Sequence, residues 1–268
     1  MNLSPTDRSV QRVRHPTRFR LLQVLRVQPL SAQLRRITLG GADLASFTSL
    51  GADDHIKLFF FPPWITPAPP SLDAKGVATF PGGTRPPMRD YTPRRFDADK
   101  LELDLEFVLH GSGPAAAWAS SAQPGSSLLI GGPRGSAILP QLPGGYLLIA
   151  DESGLPALAR RLDELAPGVP VRAIIEVADR AGELPLDARE GLEVTWVHRD
   201  GRAPGAQNLL LAALRAVPKP LGDVFAWVAC ESVQSREIRQ ALLGEYGLAE
   251  DALKSAGYWK RGVADHHD

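Results

Sequence analysis

Cysteine is almost missing from this sequence, which has Cys230 as its one thiol in 268 residues. A single cysteine excludes a disulfide framework within the chain and a metal site built from cysteines, and it fits a reducing compartment. We therefore predict a cytoplasmic protein. Cys230 itself is predicted to be a small buried apolar side chain.

Long apolar runs and an excess of either charge are also missing. No stretch approaches the roughly 20 apolar residues that span a bilayer, and no apolar run follows the basic N-terminal residues as it would in a secretory signal. Lys plus Arg number 30 and Asp plus Glu number 30, so the net charge is zero. Neither nucleic acid nor a membrane is an expected partner, and any anion site must be local.

Two sequence patterns divide the chain. Up to residue 143, short β-rich runs are separated by Gly, Pro, Asp and Ser, which predicts an antiparallel β-barrel. One short helix is predicted to begin at Pro114, and the Pro-rich interval 61–76 is predicted to be a surface loop. From Gly144, continuous apolar strands alternate with helical stretches, which is typical of an α/β domain with a parallel sheet. The predicted domains are 1–143 and 144–268.

The sequence RDYTP ends one of the β-rich runs. Side chains alternate along a strand, so Arg89 and Tyr91 lie on one face, Asp90 and Thr92 lie on the other, and Pro93 ends the pairing. A guanidinium beside a phenol can bind a pyrophosphate and cover an aromatic ring system. A surface arginine next to a tyrosine that caps a core explains the same pattern.

Two further segments of the first half have small residues at turns. In FVLHGSGPAAAWA a strand is followed by glycines and a helix start, so the amides of residues 113–116 could face an anion, and small side chains permit its close approach. A plain turn with Trp118 in the core is the alternative. GGPRGS adds a tight turn with Arg134, which either supports a cofactor, faces a substrate or serves only as a turn.

The order of seven motifs resembles that of the siderophore-interacting proteins, which are FAD-dependent ferric-siderophore reductases of the ferredoxin-reductase superfamily. The motifs are RDYTPRRF, HGSGPAAAWA, GGPRGS, ADESGLPALARRL, WVHRDG, WVACES and GYWKRG, and the resemblance extends from Arg18 to Gly262. It implies FAD bound by the barrel, NADPH or NADH as electron donor at the second domain, and reduction of Fe(III) to Fe(II). That reaction requires no proton-transfer residue and no metal site of the protein's own, so none is predicted.

The resemblance also implies which residues contact the flavin. Ala116 stands where the family often has serine or threonine, which removes one hydrogen bond to the cofactor. Cys230 stands where the family commonly has glycine, which bears on how closely a nicotinamide can approach. The implied flavin contacts are Arg89, Tyr91, Thr92, Val108, His110, Pro114, Ala115, Ala116 and Trp118.

The segment ADESGLPAL follows a buried strand and opens a helix, which is where α/β folds bind nucleotides. Asp151, Glu152 and Ser153 are predicted either to orient a ribose or the nicotinamide amide, or only to cap the helix. Arg180, at the end of the next strand, either pairs with a 2′-phosphate, which would favour NADPH, or is a solvated loop arginine.

The substrate contacts implied by the resemblance are cations. Ferric siderophores of the catecholate and hydroxycarboxylate types are anionic and already saturate the iron. The expected contacts are therefore Lys57, Arg134, Lys260 and Arg261. For Lys57 the alternative is a lysine on the barrel exterior. Near the C-terminus, Tyr258 and Trp259 either approach the flavin or anchor their segment.

Three functions fit these observations. The first is a monomeric reductase that passes electrons from NAD(P)H through FAD to a ferric siderophore. The second is a flavoprotein that exchanges electrons with a ferredoxin-like protein. The third is a protein that binds the ferric chelate without turning it over.

Overall fold

The computed structural model describes residues 9–73, 77–109, 113–140, 142, 144–186, 189–219 and 223–263. The chain divides into two packing units. Arg12–Ile138 form the first unit, and the residues from Leu139 onward form the second together with residues 9–11. Packing thus divides the chain between Ile138 and Leu139, whereas the sequence places the boundary at Gly144.

The first unit is built from β-strands with one α-helix, α1 (Pro114–Ser121), and a 3-10 helix at Ala42–Ser46. Seven of the strands form an antiparallel sheet in the order β7-β4-β10-β2-β3-β9-β8, and β1 pairs with β11 and β5 with β6. The strands of this unit are β1 (Gln11–Arg14), β2 (Phe19–Pro29), β3 (Leu34–Gly40), β4 (Ile56–Phe59), β5 (Ser71–Leu72), β6 (Ala78–Thr79), β7 (Met88–Tyr91), β8 (Arg95–Asp97), β9 (Glu102–Val108), β10 (Ser127–Gly131) and β11 (Gly135–Ile138).

The seven-stranded sheet curls because the chain joins its two edges. β7 and β8 are the edge strands, yet only residues 92–94 separate them in sequence. Consecutive Cα atoms are roughly 3.8 Å apart, so this connection spans at most about 15 Å. Tyr91 of β7 accordingly contacts Phe107 of β9, next to the opposite edge, with ring centroids 4.5 Å apart. The predicted antiparallel barrel is confirmed as a curled antiparallel sheet.

The inner face of this sheet holds the core of the unit. Alternate side chains of each strand point inward, and Tyr91 and Trp118 are partly buried against this core. A smaller aromatic cluster, with Phe59 and Phe80, covers the other face. The inward strand residues of this core include Leu22, Ile37, Leu39, Ile56, Leu58, Leu103, Leu105, Phe107, Leu128 and Ile130.

The second unit is a parallel sheet with helices, as predicted. Its five strands lie in the order β14-β13-β12-β15-β16, and every pairing is parallel. Among the described residues, no helix is long and apolar enough to cross a membrane. The elements are β12 (Tyr146–Ala150), α2 (Leu155–Glu164), β13 (Val171–Val177), β14 (Leu192–His198), α3 (Leu209–Ala216), β15 (Phe225–Glu231), α4 (Ser232–Gly244) and β16 (Leu253–Trp259), with 3-10 helices at Arg180–Gly182 and Glu250–Ala252.

The order of these strands creates a switch point. β12 is central, β13 and β14 follow on one side, and β15 and β16 lie on the other. Ligands of such sheets bind at the carboxyl ends of the strands where the order reverses, which here is between β12 and β15. Both faces are covered, because Leu148 packs in one core and Leu147 in the other. Cys230, at the end of β15, is fully buried as predicted.

Candidate functional site

β7 presents Arg89 and Tyr91 on the face predicted from the sequence. Its register with β4 sets Ile56 opposite Tyr91 and Lys57 opposite Asp90. Because Ile56 belongs to the core, Tyr91 faces the core, and Arg89, two residues before it, shares that face. Lys57 and Asp90 lie on the other face, where Nζ of Lys57 is 2.9 Å from Oδ1 of Asp90. The predicted alternation is therefore confirmed for Arg89, Asp90 and Tyr91.

Phe107 joins the two segments implied to contact a flavin. The Tyr91 ring lies against it at 4.5 Å, and the Trp118 ring of α1 lies 5.5 Å from it. Burial raises the pKa of the Tyr91 phenol, which therefore stays protonated at neutral pH. Sequence reasoning did not single out Phe107, although its inward position in the alternating run LELDLEFVLH was readable.

The start of α1 offers backbone N–H groups. Gly113 is the extended residue before the helix, and the first turn opens with Pro114. The first intrahelical bond runs from the amide of Ala117 to the carbonyl of Gly113, at 2.9 Å. The amides of Ala115 and Ala116 thus precede the first residue that has an intrahelical acceptor. Among the described residues, nothing lies within 4 Å of where a Cβ atom on Gly113, the residue that precedes these amides, would be.

Three other residues implied to contact the flavin flank these segments. Thr92 is buried directly after β7, and Val108 is partly buried at the end of β9. His110 lies outside the described residues.

The residues of the first unit fit FAD. A dinucleotide requires a cation and N–H donors for its pyrophosphate and an apolar wall for its ring system. Arg89 would provide the cation and the start of α1 the donors, and Tyr91 and Trp118 are partly exposed aromatic side chains that both contact Phe107.

The turn between β10 and β11 is fixed by its backbone. The buried Arg20 guanidinium donates to the carbonyl of Gly132 at 2.9 Å, and the carbonyl of Arg134 accepts from the amide of His15 at 2.9 Å. The side chain of Arg134 is exposed. A tight turn is confirmed here, and its cation faces solvent.

In the second unit, Asp151 follows β12 and caps the turn that opens α2. Its Oδ1 accepts from the amides of Ser153 at 2.8 Å and Gly154 at 3.3 Å and from the Ser153 hydroxyl at 2.5 Å. Its Oδ2 accepts from Nε1 of Trp259 at 2.7 Å. Burial raises the pKa of the Asp151 carboxyl, against hydrogen bonds from Ser153 and Trp259 that lower it.

Arg199 holds two glutamates at the same edge of the sheet. It lies directly after β14, and its two terminal nitrogens donate to Glu152 at 2.6 and 2.5 Å. Glu176 of β13 accepts from the same guanidinium at 3.3 Å. In the described part of the chain, Oε2 of Glu176 and Nε of Arg199 are buried without a hydrogen-bond partner. Neither Glu176 nor Arg199 was predicted from the sequence to be a site residue, although WVHRDG places an arginine just after an apolar strand.

The Glu176 carboxyl of this group is partly protonated near neutral pH. Burial and the nearby Asp151 carboxylate raise the pKa of Glu176 to about 7, although Arg199 lowers it. Arg199 gives its bidentate contact to Glu152 and only one longer bond to Glu176. When Glu176 is protonated, the positive charge of Arg199 is therefore balanced by the single negative charge of Glu152.

Glu176 gives the stability of this unit an expected pH dependence. Its pKa is raised from 4.5 to about 7 on folding, so the folded chain binds this proton more tightly than the unfolded chain. The stability contribution is complete below about pH 4.5 and is lost as the pH rises through about 7. At about 1.4 kcal/mol per pH unit, the loss approaches roughly 3 kcal/mol.

The Glu176→Gln variant tests this dependence because glutamine resembles the protonated acid. Urea unfolding at about pH 5 and about pH 8 gives the free-energy difference between wild type and variant at each pH. We expect that difference to shift in favour of the variant at the higher pH. A difference that is the same at both pH values would contradict the role of Glu176.

The remaining predicted cations lie at the same edge of the second unit. Arg180 is exposed in the 3-10 helix that follows β13. Lys260 is partly buried just after β16, and Arg261 is exposed. The amide of Arg261 donates to Oε1 of Glu231 at 3.1 Å, a contact the sequence did not predict. Trp259 is anchored through Asp151, which agrees with the anchoring alternative.

The two sheets place the chain in a class. An antiparallel sheet with flavin-compatible residues, followed by a parallel sheet, is the arrangement of ferredoxin-reductase-like proteins. A solved ferredoxin reductase of carbazole 1,9a-dioxygenase matches with a TM-score of 0.64 and 18% identity, over 91% of this chain and 70% of that chain. At this identity the likeness concerns the fold alone.

The chain belongs to the siderophore-interacting protein family. The model of the siderophore-interacting FAD-binding domain matches residues 23–137, and that of the siderophore-interacting protein matches residues 143–262. An NADPH-dependent ferric-chelate reductase of Escherichia coli (strain K12) is 39% identical over 96% of this chain and 99% of that protein. The ferric vibriobactin reductase ViuB of Vibrio cholerae is 32% identical over 91% and 90%. A siderophore utilization protein from T. fusca has a solved structure with a TM-score of 0.85 and 40% identity, covering 97% and 99%.

Proposed function

We propose that this protein is a flavin-dependent reductase of ferric siderophores that takes its electrons from NADPH or NADH. The observation that carries the proposal is the contact of both Tyr91 and Trp118 with Phe107, next to the start of α1. The relatives named as ferric-chelate and ferric vibriobactin reductases support the substrate class.

Each residue of the flavin site has a proposed task. The Arg89 guanidinium pairs with the pyrophosphate, and the first-turn amides of α1 donate to the same anionic group. Tyr91 and Trp118 lie against the ring system, and Thr92 lies at its edge. Bound FAD supplies the redox chemistry, since it accepts a hydride and delivers single electrons. Val108, His110, Pro114, Ala115 and Ala116 complete the proposed flavin contacts.

The nucleotide is proposed to bind at the carboxyl ends of β12 and β13. Glu152 and Ser153 are partly exposed there, whereas Asp151 is buried and acts through the groups it holds. The exposed Arg180 is proposed to pair with a 2′-phosphate, which favours NADPH over NADH.

The substrate is proposed to be recognised by charge. Arg134 and Arg261 are exposed cations, and Lys260 is partly buried. Lys57 is bound to Asp90, so a substrate anion must share that lysine with the aspartate. Reduction then weakens the chelate, because hard anionic oxygen donors hold Fe(II) less strongly than Fe(III).

Finer points belong to the same proposal. We propose that the protein acts as a monomer in the cytoplasm. A reduced ferredoxin is a proposed alternative electron donor. The limits 1–143 for the flavin domain and 144–268 for the nucleotide domain are retained as proposed domain boundaries.

The visible absorption spectrum, followed by a reduction assay, tests the proposed function. We expect flavin bands, or uptake of added FAD, and bleaching of those bands by NADPH without oxygen. Addition of a ferric tris-catecholate should restore the bands and release Fe(II) to a ferrous-specific chelator. A colourless protein that binds the ferric chelate but takes up no FAD would instead be a carrier. Bleached flavin that reacts with ferredoxin and not with the chelate would indicate the ferredoxin function.

A further inference from the structure

At the switch point of the parallel sheet, two carboxyl groups each accept hydrogen bonds from different parts of the chain with their two oxygens. Glu231, at the end of β15, accepts with Oε2 from the amides of Val233 at 2.6 Å and Gln234 at 3.2 Å, and so caps α4. Its Oε1 accepts from the amide of Arg261 at 3.1 Å. Asp151 accepts with Oδ1 from the amides of Ser153 and Gly154, in the turn before α2, and with Oδ2 from Nε1 of Trp259.

The second oxygen of each carboxyl group, Oε1 of Glu231 and Oδ2 of Asp151, accepts a hydrogen bond from one short stretch of chain. This stretch, Trp259–Arg261, contains two of the four cations expected to contact the substrate, Lys260 and Arg261, and we call it the cationic segment. Trp259 belongs to β16, which pairs with β15, yet its indole reaches Asp151 at the end of β12. The cationic segment is therefore held across the end of β15 at two points.

Packing limits the movement of this segment. Asp151 and Glu231 are only 3% and 2% exposed, so the acceptor side of each hydrogen bond is shielded from water, whereas the donor residues Trp259 and Arg261 are partly exposed and exposed. Gly205 packs against the side chains of Glu231 and Trp259, since a Cβ atom at Gly205 would come within 3.2 Å of both the Glu231 side chain and the Trp259 ring. Buried hydrogen bonds to a charged acceptor are stronger than neutral ones and fix geometry.

The hydrogen bonds of Asp151 and Glu231 also limit where an anion can bind at the carboxyl edge of the parallel sheet. The starts of α2 and α4 are the positions at which a phosphate would otherwise bind to helix amides. The Glu231 carboxylate already occupies two first-turn amides of α4, and the Asp151 carboxyl accepts from the amides of Ser153 and Gly154 in the turn that leads into α2. Positive charge for an anionic ligand is instead available on the neighbouring cationic segment.

We propose that Asp151 and Glu231 are positioning residues that hold the cationic segment so that Lys260 and Arg261 meet the anionic ferric chelate. This inference rests on the proposed function and adds to it the groups that set the geometry of substrate binding. Neither carboxylate touches the substrate.

Trp259→Phe and Glu231→Gln test the proposal in the FAD-loaded protein. Trp259→Phe keeps an aromatic ring but removes the indole N–H donor to Asp151, and Glu231→Gln keeps the side-chain shape but replaces one carboxylate oxygen with an amide nitrogen that cannot accept a hydrogen bond. With a ferric tris-catecholate as substrate, we expect KM to rise about tenfold, while kcat and the rate of flavin reduction by NADPH stay within twofold. With a cationic ferric hydroxamate, KM should not rise. Asp179→Asn is the matched control: its carboxylate caps the 3-10 helix after β13 and does not bind the cationic segment, so KM should stay unchanged.

A double-mutant cycle separates positioning from general destabilisation. Lys260→Ala with Arg261→Ala should raise KM for the tris-catecholate, and adding Trp259→Phe to that pair should raise it no further. Additive effects, or a wild-type KM in Trp259→Phe and Glu231→Gln, would overturn the positioning role. A wild-type KM after loss of both cations would also overturn it but would leave ferric reduction intact, whereas failure of the proposed function would appear as no Fe(II) release by the wild type.

Discussion

Replacing Arg89 with alanine is expected to weaken FAD binding about ten- to hundredfold. A hydrogen bond to a charged group contributes about 1.5–3 kcal/mol, which corresponds to that change in Kd. Arg89 shares the core-facing side of β7 with Tyr91, whose ring position is fixed by Phe107 at 4.5 Å. Fluorescence titration of the flavin-depleted protein with FAD measures the effect.

The neighbouring residue of the same strand provides the control. Asp90 lies on the opposite face and binds Lys57, so Asp90→Asn alters a charge one position away without touching the proposed flavin face. Its Kd for FAD should match the wild type. Equal affinities of the Arg89→Ala variant and the wild type would remove Arg89 from the cofactor site.

Replacing Arg199 with methionine is expected to destabilise the second unit by about 3 kcal/mol. Removing one partner of a buried ion pair leaves the other charge uncompensated, at a cost of about 3–5 kcal/mol. The side chains of Arg199, Glu152 and Glu176 are 6%, 15% and 2% exposed. We place the loss at the lower limit because Glu176 can remain protonated. Urea unfolding with an unchanged slope should show a lower midpoint.

Two variants test the cause of this loss. Arg180→Met removes an exposed arginine at the same edge of the sheet, and we expect a change within about 0.5 kcal/mol. Adding Glu152→Gln and Glu176→Gln to Arg199→Met removes the stranded charges and should restore most of the lost stability. If the triple variant were as unstable as Arg199→Met, lost packing rather than unpaired charge would be responsible.

Local patterns in the sequence predicted much of the fold. The run FRLLQVLRVQP coincides with β2 and YLLIA with β12, because alternation and continuous burial are local properties. The Pro-rich interval was predicted to be a loop, and this was wrong at its end, where Ser71–Leu72 pairs with Ala78–Thr79. The place of β10 between β4 and β2 was not predictable, since pairing over such sequence distances leaves no local pattern.

The candidate sites could be predicted from the sequence to about the same extent as the fold. The face shared by Arg89 and Tyr91 follows from a period of two, and the start of α1 follows from Pro114. The contact between Tyr91 and Phe107 arises only when the sheet curls. Arg199 meets Glu152 because β14, β13 and β12 are neighbours, and strand order is not written in any single segment.

The position of β10 in the sheet affects how the protein folds during translation. β10 completes the sheet by pairing with β2 on one side and β4 on the other, yet it follows both in the chain and ends only at Gly131. While the intervening residues are being translated, β2 and β4 lack their shared neighbour, and such long-range pairing is slow. The segments proposed to bind FAD emerge earlier, but the scaffold that orients them closes only after translation has passed β10. We therefore expect loading of the flavin to be a late event in the biogenesis of this protein.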